Sequence, residues 1–156
     1  MNKNYSALTL DELPKRLSSI TAITDQIGTD SSEWKVTEVG DGNLNLVFIV
    51  IGSNGKIVIK QALPYVRVVG DSWPLTLDRA FFEYNALVRQ EQRDPGIAPS
   101  VFYFDREQGL IAMECLDNHK ILRGKLIAGE KVSNFQHMLL SGYGRLLGGH
   151  LTKKLA

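Results

Sequence analysis

Polar and apolar residues alternate in the first of three early segments, the second is a β-branched apolar run, and these patterns predict β-strands. The segments are Trp34 to Val39, Leu44 to Ile51 and Lys56 to Gln61. Alternation of this kind sends successive side chains to opposite faces of a sheet. The turn residues Gly40 to Asn43 separate the first two strands, and Ser53-Asn54-Gly55 separates the second from the third. We therefore predict two consecutive hairpins.

The next part of the chain is predicted to form a loop, a helix and two further strands. Residues 64–74 contain prolines and a glycine, which favour a loop. A helix capped by Thr76 or Asp78 is predicted to run to about Gln92, with one apolar face. The two strands after it are Ser100 to Phe104 and Leu110 to Leu116. This order of elements indicates an α+β fold.

Both ends of the chain are predicted to be helical. Thr9 and Glu12 form a capping-box pattern ahead of leucines at roughly helical spacing. The pattern is helical again from Asn118 onward, where an apolar stripe lies between Phe135 and Leu151. We divide the chain into an N-terminal helical extension, a central domain and a C-terminal helical segment, with the bounds 1–30, 31–117 and 118–156.

The composition is that of an ordinary soluble globular protein, with 44% hydrophobic and 22% charged residues. A net charge of +1 and scattered basic residues argue against a nucleic-acid or anionic membrane partner. The longest strongly apolar run, Leu46 to Ile51, is too short to cross a membrane. Cys115 is the only cysteine, so an intramolecular disulfide and a cysteine-based zinc site are excluded. We expect a cytoplasmic protein.

Three features within the predicted sheet and helix suggest nucleotide chemistry. The turn Gly40-Asp41-Gly42-Asn43 can bring backbone N–H groups close to a phosphate, although a plain hairpin turn is the alternative. Lys60 ends the third strand, where kinases place the lysine that neutralises nucleotide phosphates. Glu83 lies in the only helix between strands three and four, where the acid that pairs with this lysine is found. A solvated lysine and an ordinary surface charge are the alternatives.

The segment Met113-Glu114-Cys115-Leu116 ends the fifth predicted strand, just before the helical region. In a kinase this is the hinge, whose exposed backbone groups hydrogen-bond to adenine. The alternative is the end of an ordinary edge strand. Because turn, lysine, helix glutamate and hinge occur in the required order, we favour the N-terminal lobe of a kinase over a domain without nucleotide chemistry.

Longer stretches of the sequence resemble one family. They are Gly40-Asp41-Gly42-Asn43-Leu44-Asn45-Leu46-Val47-Phe48, Ile59-Lys60-Gln61-Ala62-Leu63-Pro64-Tyr65-Val66-Arg67 and Ser72-Trp73-Pro74-Leu75-Thr76-Leu77-Asp78-Arg79-Ala80. These stretches are similar to 5-methylthioribose kinase, and the resemblance extends from about Val36 to Gly129. It implies a fold similar to protein kinases and aminoglycoside phosphotransferases. That fold has an N-terminal lobe with a five-stranded antiparallel sheet and one packed helix, followed here by the first helices of an incomplete C-terminal lobe.

The resemblance also implies chemistry and site residues. ATP and magnesium would be the cofactors, and the C1 hydroxyl of 5-methylthioribose would be phosphorylated in methionine salvage. Cys115 stands where an acidic or polar residue is expected in this family, a change that backbone recognition of adenine tolerates. The implied ATP-binding residues are Gly40, Asp41, Gly42, Asn43, Lys60, Glu83, Glu114, Cys115 and Leu116.

The sequence does not contain the catalytic residues that this family uses. After Asp117 the only acidic residue is Glu130, and no histidine precedes Gly-Asp. A His-Gly-Asp-like loop and a later magnesium-binding acidic motif are therefore missing, and we expect no phosphoryl transfer by this chain alone. The apolar stripe would then be uncovered, so residues 132–151 are predicted to bind a second copy of the chain or a missing lobe.

Two other interpretations stay open. The chain could be a non-catalytic nucleotide-binding or interaction module. It could also be a fragment of a related aminoglycoside or choline kinase. Residues 64–67 and 73–76 argue against the second alternative, because they match 5-methylthioribose kinase.

Overall fold

The computed structural model describes residues 4–40, 42–119 and 122–131, except for the side chain of Asp71. The helices are α1 (Leu13–Leu17), α2 (Thr21–Ile27), α3 (Asp78–Arg93) and α4 (Leu122–Ile127), and a short 3-10 helix spans Ser31–Glu33. The strands are β1 (Lys35–Glu38), β2 (Asn45–Ile51), β3 (Lys56–Ala62), β4 (Tyr65–Val66), β5 (Gly70–Pro74), β6 (Val101–Asp105) and β7 (Leu110–Glu114).

Five strands form one antiparallel sheet in the order β1-β2-β3-β7-β6, and β4 pairs with β5 separately. Helix α3 contacts β3, β6 and β7. The predicted α+β fold, with a five-stranded antiparallel sheet and a packed helix, is confirmed. The strand bounds differ little from the predicted ones. The N–H of Gly52 donates to the carbonyl of Gly55 at 2.9 Å and closes the predicted β2–β3 hairpin.

Strand β3 lies in the middle of the sheet and has two different faces. Ile57, Ile59 and Gln61 are buried on one face, whereas Val58 and Lys60 are half-buried on the other. The pleat causes this difference, because it sends neighbouring side chains in opposite directions. Buried residues of the flanking strands continue the first face: Leu46, Phe48, Val50, Leu110 and Ala112.

The N-terminal segment packs on this buried face. It contributes five buried residues to the same hydrophobic cluster as the sheet: Leu8, Leu13, Leu17, Ile23 and Ile27. The backbones also approach closely, since a Cβ on Gly52 would lie 1.9 Å from the carbonyl oxygen of Ile27. The predicted domain division at residues 30 and 117 stays a prediction, but residues on both sides of the first boundary share one core.

Gln61 connects the N-terminal segment to β3 inside this core. Its fully buried side chain accepts a hydrogen bond from the N–H of Leu8 at 2.7 Å. It donates to the carbonyls of Ser6 at 3.0 Å and Gln108 at 3.2 Å. Buried polar groups need such partners, because leaving them unpaired costs free energy. The side-chain amide of Gln61 therefore links β3 to the N-terminal segment by hydrogen bonds within a core that is otherwise apolar.

The prediction of a loop over residues 64–74 is wrong in part, because the stretch contains a short antiparallel hairpin. Tyr65 pairs with Pro74, and Val66 pairs with Gly70. Pro74 ends its strand, where the missing N–H is tolerated, and Gly70 has a φ of 72° that other residues rarely adopt. Here Pro74 marks the end of a hairpin, and Gly70 lies at its turn.

Part of the predicted C-terminal helical region is present as α4. The apolar stripe from Phe135 to Leu151 lies outside the described residues, as does the whole segment 132–151 that is predicted to bind a partner. None of the helices in the described ranges is long and apolar enough to cross a membrane.

Replacing Gln61 by methionine keeps the side-chain volume but leaves the N–H of Leu8 buried and unpaired. We expect the free energy of unfolding to fall by about 1–3 kcal/mol. Urea denaturation followed by the fluorescence of buried Trp34 measures the change. The control is Gln92→Met on the exposed side of α3, which we expect to alter stability by less than about 0.5 kcal/mol. Equal stability of the two variants would contradict the role given to Gln61.

Tyr5 should make stability depend on alkaline pH. Its hydroxyl donates to the carbonyl of Ala62 at 3.0 Å, and burial, with a smaller contribution from Tyr65, raises the pKa of Tyr5 from 10.0 to about 12. The folded state thus holds the phenol proton more tightly than the unfolded state. This stabilisation is complete below pH 10 and is lost as the pH rises towards 12.

We therefore expect Tyr5→Phe to be less stable by about 1 kcal/mol near neutral pH. The difference from the original chain should shrink as the pH rises above about 10, because only the original chain carries the ionising phenol. Denaturant titrations of both proteins at about pH 8, 10 and 11 make the comparison. A difference that is constant over this range would show that Tyr5 does not ionise with a raised pKa.

Candidate functional site

Lys60 lies on the face of β3 that the N-terminal segment leaves uncovered. Its register partners are Val47 on β2 and Ile111 on β7. Residues directly opposite each other in an antiparallel pair point to the same side of the sheet. Val47, Lys60 and Ile111 therefore form one row across the middle of this face.

Helix α3 packs on the same face and supplies the partner of Lys60. The Nζ atom of Lys60 donates to Oε1 of Glu83 at 2.5 Å. Tyr84 stacks on Phe104 of β6, with ring centroids 4.4 Å apart, and so helps to place the helix against the sheet. The two charged side chains are 26% and 36% exposed, so water screens the pair. The structure brings Lys60 and Glu83 together, while their role towards ATP stays a prediction.

The start of α3 differs from the predicted capping. The helix begins at Asp78, and Leu77 occupies the N-cap position without a side-chain hydrogen bond. The hydroxyl of Thr76 accepts a hydrogen bond from the N–H of Asp78 at 3.2 Å. An acid in the first turn and Arg93 in the last turn complement the helix dipole. Thr76 thus satisfies one N–H at the helix start from the position before the N-cap, and the charges at the two ends add to this effect.

The glycine-rich turn between β1 and β2 has one position that requires glycine. A Cβ on Gly42 would lie 2.6 Å from the carbonyl oxygen of Asn45, a contact that no larger residue could make without a shift. Gly40 and Asn43 are exposed at the turn. Asp41 lies outside the described residues. Phosphate binding by these residues stays a prediction.

The predicted hinge begins where the β7 ladder ends. The N–H of Glu114 donates to the carbonyl of Ser100 at 2.9 Å, and its carboxylate accepts from the N–H of Ser100 at 3.1 Å. Within the described part of the chain, the N–H groups of Cys115 and Leu116 make no backbone hydrogen bond. Leu116 is exposed. A strand that ends in unpaired donors has the form expected of a hinge.

Asp117 contacts the predicted hinge segment and was missed by the sequence interpretation. Its carboxylate forms an ion pair with Lys56 at the start of β3 and accepts a hydrogen bond from the Sγ of Cys115 at 3.3 Å. The bond from Lys56 lowers the pKa of Asp117. Burial raises the pKa of the Cys115 thiol above its usual 9.0, and the neighbouring carboxylate of Asp117 adds a smaller effect in the same direction. No local signal joins Lys56 to Asp117, because only the pairing of β3 with β7 brings them together.

Val58 was also missed, although the sequence contained a signal for it, and its neighbour Met113 begins the predicted hinge segment. Val58 precedes Lys60 by two positions, so strand alternation places it on the same face. Met113 is its register partner on β7 and is 7% exposed. These two residues add an apolar surface between Lys60 and the hinge end of β7.

One well-formed cavity lies away from the candidate site. A cavity of about 670 Å³ lies beside Tyr5, Pro64, Leu75 and Arg106, and no predicted site residue lines it. Over residues 4–40, 42–119 and 122–131, no group of three or more His, Cys, Asp and Glu side chains could hold a metal ion. The magnesium implied by the resemblance therefore has no such cluster in this part of the chain.

A five-stranded antiparallel sheet, one packed helix and a strand lysine paired with a helix glutamate define a protein-kinase-like N-terminal lobe. Comparison with known proteins gives the particular family. The chain is 51% identical over 129 residues to a methylthioribose kinase of Escherichia coli. The aligned region covers 81% of the chain and 30% of that kinase. No family model matches the chain.

Plant and Gram-positive relatives give the same result. Methylthioribose kinase 1 of rice is 46% identical over 123 residues, covering 77% of the chain and 29% of the relative. The methylthioribose kinase of Bacillus pumilus is 46% identical over 118 residues, covering 73% and 30%. The chain is therefore related to the methylthioribose kinases over most of its own length, as the resemblance indicated, and it spans about 30% of the length of these relatives.

The pair of Lys60 and Glu83 should contribute little to stability. A double-mutant cycle with Lys60→Met and Glu83→Gln is expected to give a coupling energy of about 0.2–1 kcal/mol, because both groups are partly exposed. The ion pair of Arg67 and Glu38, at 2.8 Å and with similar exposure, serves as a reference. Urea denaturation of the variants measures both couplings. A value above about 3 kcal/mol for the first pair would mean that it is desolvated.

Proposed function

We propose that the described domain binds ATP and is the nucleotide-binding part of a methylthioribose kinase. The observation that carries this proposal is the contact of Lys60 with Glu83 at 2.5 Å, on the face of the sheet against which α3 packs. A lysine held in this way by a helix acid is the arrangement that kinases use to bind nucleotide phosphates. The similarity to methylthioribose kinases, which includes the whole region between the two residues, supports it.

The remaining groups on this face have the chemistry that ATP requires. Backbone N–H groups of the turn from Gly40 to Asn43 would bind phosphate oxygens together with Lys60. The N–H groups of Cys115 and Leu116, which make no backbone hydrogen bond among the described residues, would be available to acceptor atoms of adenine. Val58 offers an apolar surface between these two polar ends. The site would therefore bind phosphates at one end and the base at the other.

We further propose that the complete kinase transfers the ATP phosphate to the C1 hydroxyl of 5-methylthioribose, in methionine salvage. This reaction needs a base near the attacking hydroxyl and acids that hold magnesium. After Asp117 the sequence contains Glu130 as its only acid. Our proposal assigns nucleotide binding to these 156 residues and the acid-base chemistry to residues outside them. A cytoplasmic location suits the lone thiol of Cys115.

Calorimetric titration of the chain with ATP and magnesium tests the proposal. Replacing Lys60 by alanine should weaken ATP binding by about tenfold or more, because a charge-assisted contact to a phosphate is lost. The matched control is Lys35→Ala, an exposed strand lysine on β1, which should leave affinity unchanged. If the original chain gives no binding heat, or if Lys60→Ala binds ATP as tightly as Lys35→Ala, the proposed function is wrong.

A further inference from the structure

Arg79 connects helix α3 to the strand that follows the glycine-rich turn. Its Nη1 donates to Oδ1 of Asn45 at 2.9 Å. Its Nη2 donates to the backbone carbonyls of Leu44 and Leu63, the latter at 2.7 Å. Leu44 and Asn45 come directly after the turn, and Leu63 directly follows β3. One guanidinium therefore joins the helix to the exit of the turn and to the end of the lysine-bearing strand.

The same helix also holds the strand lysine. Arg79 and Glu83 are four residues apart on α3, so their side chains lie on one side of the helix. Glu83 contacts Lys60, while Arg79 contacts the segment after the turn. The turn and the lysine are thus both bonded to one rigid element. A displacement of that helix side would alter both contacts.

Arg79 is half-buried, and its three contacts use both terminal nitrogens of the guanidinium. Its Nε is buried and has no hydrogen-bond partner among the described residues. Burial lowers the pKa of Arg79, while Glu83 and Tyr5 oppose this effect. A planar guanidinium can donate to several acceptors at set angles, which the single ammonium of lysine cannot reproduce. The shape of the side chain, in addition to its charge, accounts for the contacts.

The glycine-rich turn has one anchored half and one open half. The carbonyl of Asn43 accepts from the N–H of Arg67 at 2.7 Å, and the carbonyl of Leu44 accepts from the N–H of Leu63 at 3.0 Å. At the other end, Gly40 is exposed, and a Cβ there would meet no atom of the described residues within 4 Å. Arg79 binds Leu44 and Asn45, which directly follow the anchored end of the turn. It is therefore placed to set the position of the turn without contacting its open side.

We propose that Arg79 is a positioning residue that holds the exit of the glycine-rich turn in a set place relative to Lys60, so that both present their donors to the same phosphate groups. The Nη atoms of Arg79 already donate to protein oxygens, so the residue acts through the turn and does not bind the nucleotide itself. The part of the proposal that concerns phosphates rests on the proposed binding of ATP.

Hydrogen exchange without nucleotide tests the positioning directly. In Arg79→Met we expect the backbone amides of residues 43–46 to exchange about tenfold faster than in the original chain, because charged hydrogen bonds that hold this segment are lost. Arg89→Met, an exposed arginine on the same helix, is the control and should leave these rates unchanged. Unchanged exchange of residues 43–46 in Arg79→Met would overturn the proposal, whatever the chain binds.

A comparison of ATP with adenosine separates positioning from a general loss of structure. We expect Arg79→Met to weaken ATP binding about tenfold and adenosine binding by less than about twofold, since only ATP carries phosphates. Equal losses for the two ligands, or unchanged ATP binding, would overturn the proposal. If the original chain binds neither ligand, the proposed function fails, and the exchange measurement still decides whether Arg79 holds the turn.

Asn45→Ala keeps the test valid if Arg79→Met does not fold. This variant removes one acceptor of Arg79 and leaves the charge and the helix in place. We expect changes in the same direction and of about threefold, both in exchange of residues 43–46 and in ATP affinity. If Asn45→Ala matches the original chain in both measurements, the contact with Arg79 does not position the turn.

Discussion

Each side chain of β3 must leave the sheet on the side opposite to its neighbours, and the rest of the structure depends on this constraint. It sends Ile57, Ile59 and Gln61 into the core and turns Lys60 towards helix α3. The same strand thus builds the hydrophobic core with one face and the candidate site with the other. A shift of one residue in its register would bury the lysine and expose the isoleucines. Burial of the apolar face therefore fixes the placement of the charged one.

Polar contacts between distant segments then assemble the candidate site on the face of the sheet against which α3 packs. Glu83 reaches Lys60, Arg79 reaches Asn45, and Asp117 reaches back to Lys56. The pairs at Lys60 and at Lys56 are partly exposed, so each stabilises the fold only slightly. Their effect is on geometry. They set where a helix, a turn and a strand end lie relative to one another on a sheet that the core already holds.

The strands and the main helix could be predicted because their signals are local. The β-branched apolar run that forms β2 predicts a strand directly, and Ser53-Asn54-Gly55 marks the turn between β2 and β3. Residues 64–74 were misjudged because proline and glycine end or turn a short hairpin as readily as they make a loop. The order of turn, lysine and helix acid also predicted the contact of Lys60 with Glu83, because protein kinases pair a strand lysine with a helix glutamate in this order.

The sequence by itself determined which segments form strands and which residues of each strand share a face. It also showed the similarity to methylthioribose kinases. These properties follow from the order of neighbouring residues and from long matching stretches. Only the tertiary structure decided the roles of Gln61, Arg79 and Asp117, whose partners lie far away along the chain. A hydrogen bond of this kind depends on how strands pair and how a helix packs, and no pattern within a short segment records that.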